Sequence, residues 1–207
     1  MLKTIFGVLF FLFAYSANAQ DAATFDGHSW KAPYQLASPE GWGIERFLLP
    51  AGFAPEIKYK GVEDIRFAPG WAKKGAEDYW SYLFLWYLDG DIKLTAGDIG
   101  QYLRNYYIGL INVNGSAIPK DKIIPVEASV HTINPLAKDQ FSFQGTVTMT
   151  DYMQHQKIIL NVTIHVLACK HSGKTYIIHQ LSPQSYQHGI WKRMDEIREQ
   201  FVCAEKN

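Results

Sequence analysis

Residues 77–90 read EDYWSYLFLWYLDG, and the architecture turns on them. Trp80, Tyr82, Phe84 and Trp86 alternate with Tyr79, Leu83, Leu85 and Tyr87, so a strand through this stretch is apolar on both faces. Aromatic enrichment and the Asp89-Gly90 turn favour a strand over a helix. A helix crossing a bilayer needs about twice this apolar length, and a lone strand cannot satisfy its backbone in lipid. A sugar-binding platform would set exposed aromatics against a polar face, whereas Ser81 is the only polar interruption. The stretch therefore predicts a core strand with protein on both sides. The N-terminal segment is the expected second cover.

Upstream, the chain opens MLKTIFGVLFFLFAYSANAQ. Lys3 supplies a basic start, residues 5–15 an apolar run, and Ala17-Asn18-Ala19 a small-residue cleavage signal before Gln20. This predicts a signal peptide over residues 1–19 and one exported domain over 20–207. The apolar run is shorter than the roughly 18–20 residues a spanning helix needs. Gln20, not a cysteine, stands directly after the cleavage point, so no stable membrane anchor is expected after signal removal. Lys plus Arg and Asp plus Glu each number 20 and no basic run occurs, which argues against a nucleic-acid partner.

Two strand-like segments precede the aromatic stretch, at 43–50 and 63–70. Residues 95–112 read as a helix, with Thr95 as N-cap, Asp98 three positions on, and Ile99, Leu103, Tyr106 and Leu110 on one stripe. A second helix is expected over about 187–203. Between them, 126–132, 141–150, 158–169 and 175–181 alternate as strands. The expected fold class is α+β: an antiparallel meander with both helices packed on its apolar face.

Matching the apolar faces of that meander fixes a register, because a slip of one residue inverts a strand. One polar row then reads His131–Ser142–His165–His179. Adjacent strands lie about 4.8 Å apart, so His165 and His179 could share a zinc ion, with Glu127 on the same face as a further ligand. The competing reading is a solvated, hydrogen-bonded face. No cofactor is predicted beyond that zinc. Glu63, Asp64 and Arg66 form a second candidate group for cation binding or acid–base work, against the plainer reading of an edge strand kept soluble by charge. Cys169 and Cys203 permit a disulfide closing roughly 35 residues and worth about 3–4 kcal/mol, or two buried thiols. Nucleophile-elbow, metalloprotease, phosphate-loop and dinucleotide motifs are absent from the sequence.

The segments PEGWGIERFLLP, GVEDIRFAPGW and YWSYLFLWYLDG resemble a family of uncharacterised exported bacterial proteins, a domain of unknown function, over residues 39–110. The element order is similar to the PsbP-like fold. These resemblances imply an exported α+β domain and transfer no catalytic residues. The expected function is a non-enzymatic periplasmic or secreted binding domain for a small molecule or protein. The alternative is a hydrolase or metal-dependent enzyme working on the histidine-lined face.

Overall fold

The computed structural model describes residues 25–169 and 173–203; the expected signal peptide over 1–19 lies outside the described residues. Seven strands form one sheet: β1 (Gly43–Leu49), β2 (Gly61–Phe67), β3 (Tyr82–Asp89), β4 (Glu127–Ile133), β5 (Asp139–Asp151), β6 (Gln156–Leu167) and β7 (Lys174–Ser182). Their order is β1-β2-β3-β7-β6-β5-β4, and every pairing is antiparallel. Two meanders therefore meet at β3 and β7. Helix α1 (Ala96–Asn114) carries the chain from β3 to the far edge at β4, and α2 (Gly189–Glu199) follows β7.

Each helix begins where its sequence supplies a cap. Thr95 Oγ1 accepts from the Asp98 N–H while Asp98 returns a bond to the Thr95 N–H, so two otherwise unpaired donors are satisfied. His188 caps α2 by accepting from the Ile190 N–H at 3.2 Å.

The strand proper begins at Tyr82, after a turn in which Trp80 adopts φ 54°. Its two apolar faces enter two separate cores. Tyr82, Phe84, Trp86 and Leu88 join Ile164, Ile177 and Leu181 beneath Ile99, Leu103 and Tyr106 of α1. Leu83 and Leu85 join Tyr176 and Ile178 beneath Ile190, Trp191, Met194 and Ile197 of α2, with Tyr34 of the N-terminal segment. The α+β antiparallel architecture is as expected, but the helices cover opposite faces instead of one. Strands β3 and β7 are apolar on both sides, and each exposed apolar face requires its own cover. Phe84 shows the scale: it is fully buried, and cutting such a ring to alanine costs about 3–5 kcal/mol.

Cys169 and Cys203 are joined by a disulfide, which decides between the two readings of the cysteines. It fastens the segment after β6 to the segment after α2. Beside it, Gln35 and Val202 exchange backbone hydrogen bonds of 3.0 and 3.1 Å, tying the N-terminal segment to the same place.

Candidate functional site

The expected histidine row does not form. Ser142 stands opposite His165 as the alternation predicts, but His131 pairs with Gln144. On β7 it is Ile178 that faces His165, while His179 pairs with Ile164 and Phe84. His165 and His179 consequently point to opposite sides of the sheet and cannot share a zinc ion. The cause lies in β7, the central strand, buried on both faces, so its alternation carries no polar side to read. Glu127 and His131 lie exposed on edge strand β4. Among the described residues no group of three or more His, Cys, Asp or Glu converges as a metal set.

His179 is a core residue. Its ring stacks on Phe84 at 4.1 Å, and its Nε2 lies 2.8 Å from the Tyr102 hydroxyl. Burial lowers its pKa to about 3, so the imidazole is neutral. His165 is buried on the other face, with Nδ1 2.7 Å from Asp139 Oδ2 and Nε2 3.0 Å from Gln180 Oε1. Ser142 donates to that same Asp139 oxygen at 2.6 Å. The Ser142 hydroxyl thus addresses the carboxylate and not the imidazole, which is not the arrangement that activates a serine nucleophile. Gln180 reaches Asp195 of α2 at 3.1 Å, and Arg198 lies 3.8 Å from Asp139. These groups clamp α2 to β5, β6 and β7. Asp139, Gln180 and Arg198 carry no spacing signal, because three separate elements bring them together.

The Glu63, Asp64 and Arg66 group also separates. Strand β2 is interior, flanked by β1 and β3, and its residues alternate between faces. Asp64 turns to the α2 face, where Arg46 and Arg66 donate to its Oδ1 and Tyr34 donates to its Oδ2 at 3.2 Å. Arg66 also donates to the Leu36 and Ala37 carbonyls, fixing the N-terminal segment. Glu63 turns to the α1 face.

That face holds the candidate site. Helix α1 packs on β4 and β5, and Tyr106, Leu110, Val113 and Asn114 of its C-terminal half look across a gap to residues of β1–β3. Three loops reach into the gap with Phe53, Trp71 and Tyr152, leaving a cavity of about 290 Å³. Gly109 of α1 permits this, because a Cβ there would lie 2.0 Å from the Phe53 carbonyl oxygen. Ile65, Trp80, Tyr82 and Tyr106 are buried lining residues, whereas Glu45, Val113 and Asn114 are exposed and form the mouth. The rings interlock: Phe67 and Trp71 lie 4.4 Å apart, Trp80 and Tyr152 5.0 Å, and Phe53 and Tyr106 5.1 Å with planes at 81°.

Polar groups in this wall are few. Tyr106 donates to Glu63 Oε1 at 2.6 Å and the Trp86 indole donates to Oε2 at 2.9 Å. Desolvation pushes the Glu63 carboxyl up to about 8 against those two hydrogen bonds, and the nearby Glu45 charge adds to the rise. The Tyr82 and Tyr107 hydroxyls bond to each other. The Nε1–H of Trp71 is buried with no acceptor among the described residues. The Trp80 indole is directed at the Tyr79 hydroxyl, which itself donates to Asp151 at 2.6 Å. A buried donor left unpaired costs about 1–3 kcal/mol, and Trp80 adds the strain of a bulky residue at positive φ. Both features cluster at one cavity, as they do at sites that take ligands.

No protein-family model matches the chain, and a search of curated proteins finds no relative. Fold and cavity geometry are therefore the basis for assigning function.

Proposed function

We propose that this chain is an exported, non-enzymatic binding domain that takes a small molecule into the aromatic cavity between α1 and β1–β3. The observation that carries this reading is the cavity itself: about 290 Å³, walled by the rings of Phe53, Trp71, Trp80, Tyr82 and Tyr106, and open at Glu45, Val113 and Asn114. The cavity volume suits a ligand of few heavy atoms, since sites for drug-sized ligands span about 300–1,000 Å³. Export is supported by the N-terminal signal pattern and agrees with the disulfide. Among the described residues no helix is long and apolar enough to cross a membrane.

Two measurements test this. Mass analysis of the exported protein should give a mature chain beginning at Gln20. Native mass spectrometry, with tryptophan fluorescence during a small-molecule screen, should reveal a bound ligand. Val113→Trp should abolish that binding while preserving the fold, because Val113 is an exposed residue at the cavity mouth. Binding unchanged in Val113→Trp would place the ligand elsewhere and overturn the reading.

A further inference from the structure

We infer that the ligand is an uncharged two-ring aromatic molecule with an N–H or O–H donor at one end, held with its rings inside the cavity and its donor at the mouth beside Glu45. This deepens, and rests on, the reading of the cavity as the binding site.

Size sets the number of rings. An apolar cavity of about 150 Å³ accommodates a single benzene. This one measures about 290 Å³, so it has room for two fused rings. The wall sets their kind. Its rings are inclined to one another: Phe67 and Trp71 at 46°, Trp80 and Tyr152 at 71°, and Phe53 and Tyr106 at 81°. A flat aromatic guest therefore meets ring edges on one side and ring faces on another, and such pairs contribute beyond the area they bury. A saturated guest with as many carbons gains from area alone.

Charge and hydrogen bonding set the substituent and its place. The buried Tyr82 and Tyr106 hydroxyls are already committed to Tyr107 and Glu63, so a polar substituent belongs at the mouth and the hydrocarbon inside. Glu45 is the one charged side chain among the lining residues, with no Lys, Arg or His beside it. Desolvation, the Asp151 charge and the Glu45 charge raise the Tyr152 phenol to about 12, so it keeps its proton within reach of the Glu45 field. Asn114 spends one amide hydrogen on the Leu110 carbonyl at 2.9 Å. A donor on the ligand is met by the Glu45 carboxylate, which can only accept, and by Tyr152 and Asn114, which can do either. A ligand carboxylate or phosphate would instead face Glu45 with no cation to receive it.

Calorimetry on the mature protein with a matched probe series separates these demands. Indole meets all of them. Phenol keeps the donor on a single ring, and benzofuran keeps both rings without the donor. Cyclooctanol has as many carbons as indole, and a donor, without aromaticity. Indole-3-carboxylate adds a negative charge. Indole is expected to bind about tenfold more tightly than phenol, which buries fewer carbons. It should exceed benzofuran and cyclooctanol by about fivefold, the scale of one hydrogen bond or one ring pairing. The acid should bind at least about fivefold more weakly than indole. Glu45→Gln should strengthen the acid about fivefold and leave benzofuran within about twofold, since it removes one charge at an exposed rim.

Phenol or cyclooctanol binding as tightly as indole overturns the two-ring aromatic assignment, and benzofuran doing so overturns the donor. An acid that matches indole, or that Glu45→Gln leaves unchanged, overturns the exclusion of anions. Should Val113→Trp still block indole in any of these cases, the cavity itself stands as the site. Indole binding that survives Val113→Trp overturns both. No indole binding up to about 10 mM, weaker than any useful recognition, overturns the ligand class, and the unbiased screen above then decides the cavity.

Discussion

The Tyr106 hydroxyl donates a 2.6 Å hydrogen bond to Oε1 of Glu63, a carboxyl with no solvent exposure that is wedged between a helix and the sheet. Burial raises this acid from an ordinary 4.5 to about 8, so the folded protein holds a proton there that the unfolded chain releases. Stability from this group is complete below about 4.5 and declines as pH climbs to about 8. His179 works in the opposite sense. Its pKa falls from 6.5 to about 3 on folding, so stability declines as pH drops from 6.5 towards 3.

The two windows overlap between 4.5 and 6.5, where the slopes oppose each other. Unfolding free energies from urea titration should be nearly flat there, fall by up to about 1.4 kcal/mol per pH unit from 6.5 to 8, and fall again below 4.5. Glu63→Gln should abolish the decline above 6.5 and expose a loss of stability on acidification from 6.5. An unchanged profile in Glu63→Gln would mean that this carboxyl is already ionised in the folded protein.

Asp64 neutralises Arg46 and Arg66 beneath the N-terminal segment. Asp64→Asn leaves two guanidinium groups without their shared counter-charge, one of them buried, and should destabilise by about 3–5 kcal/mol. Hydrogen exchange should localise the first loosening to residues 34–37, where Arg66 holds the Leu36 and Ala37 carbonyls. Protection unchanged in that segment would show that its apolar contacts suffice.

Two helical glycines should respond with opposite signs. A Cβ on Gly100 would make ordinary contact at 3.5 Å from the Ala128 carbonyl oxygen, so Gly100→Ala should stabilise by about 0.5–1 kcal/mol. The same change at Gly109 collides with the Phe53 carbonyl oxygen at 2.0 Å. Gly109→Ala should destabilise, displace the β1–β2 loop and weaken any ligand of the cavity. Thermal melts of the two variants provide the comparison.

The Cys169–Cys203 bond closes a separation of 34 residues. Replacing both cysteines by serine should lower stability by about 3–4 kcal/mol on loop-closure grounds. Denaturant unfolding with and without reductant measures it. A wild-type protein indifferent to reductant would mean that the bond is not formed in solution.

The alternation in 77–90, the Thr95 cap and the strand pattern from 126 to 167 determined the elements, the antiparallel sheet and the faces of β4, β5 and β6. Those features are local: a period of two marks faces and a capping box marks a helix start. The tertiary structure decided everything that depends on which surface covers which. On β7 the sequence offers Ile177 and Ile178, then His179 and Gln180, and only the neighbours β3 and β6 fix which of each pair faces α1. A neutral, ring-stacked imidazole is spelled like a ligand, so His179 read as polar surface while it is core. Likewise Glu45, Trp71, Trp80 and Tyr106 come from β1, the β2–β3 connection and α1, and share no spacing in the chain. Their meeting follows from where α1 crosses the sheet, a long-range packing outcome that no local pattern encodes.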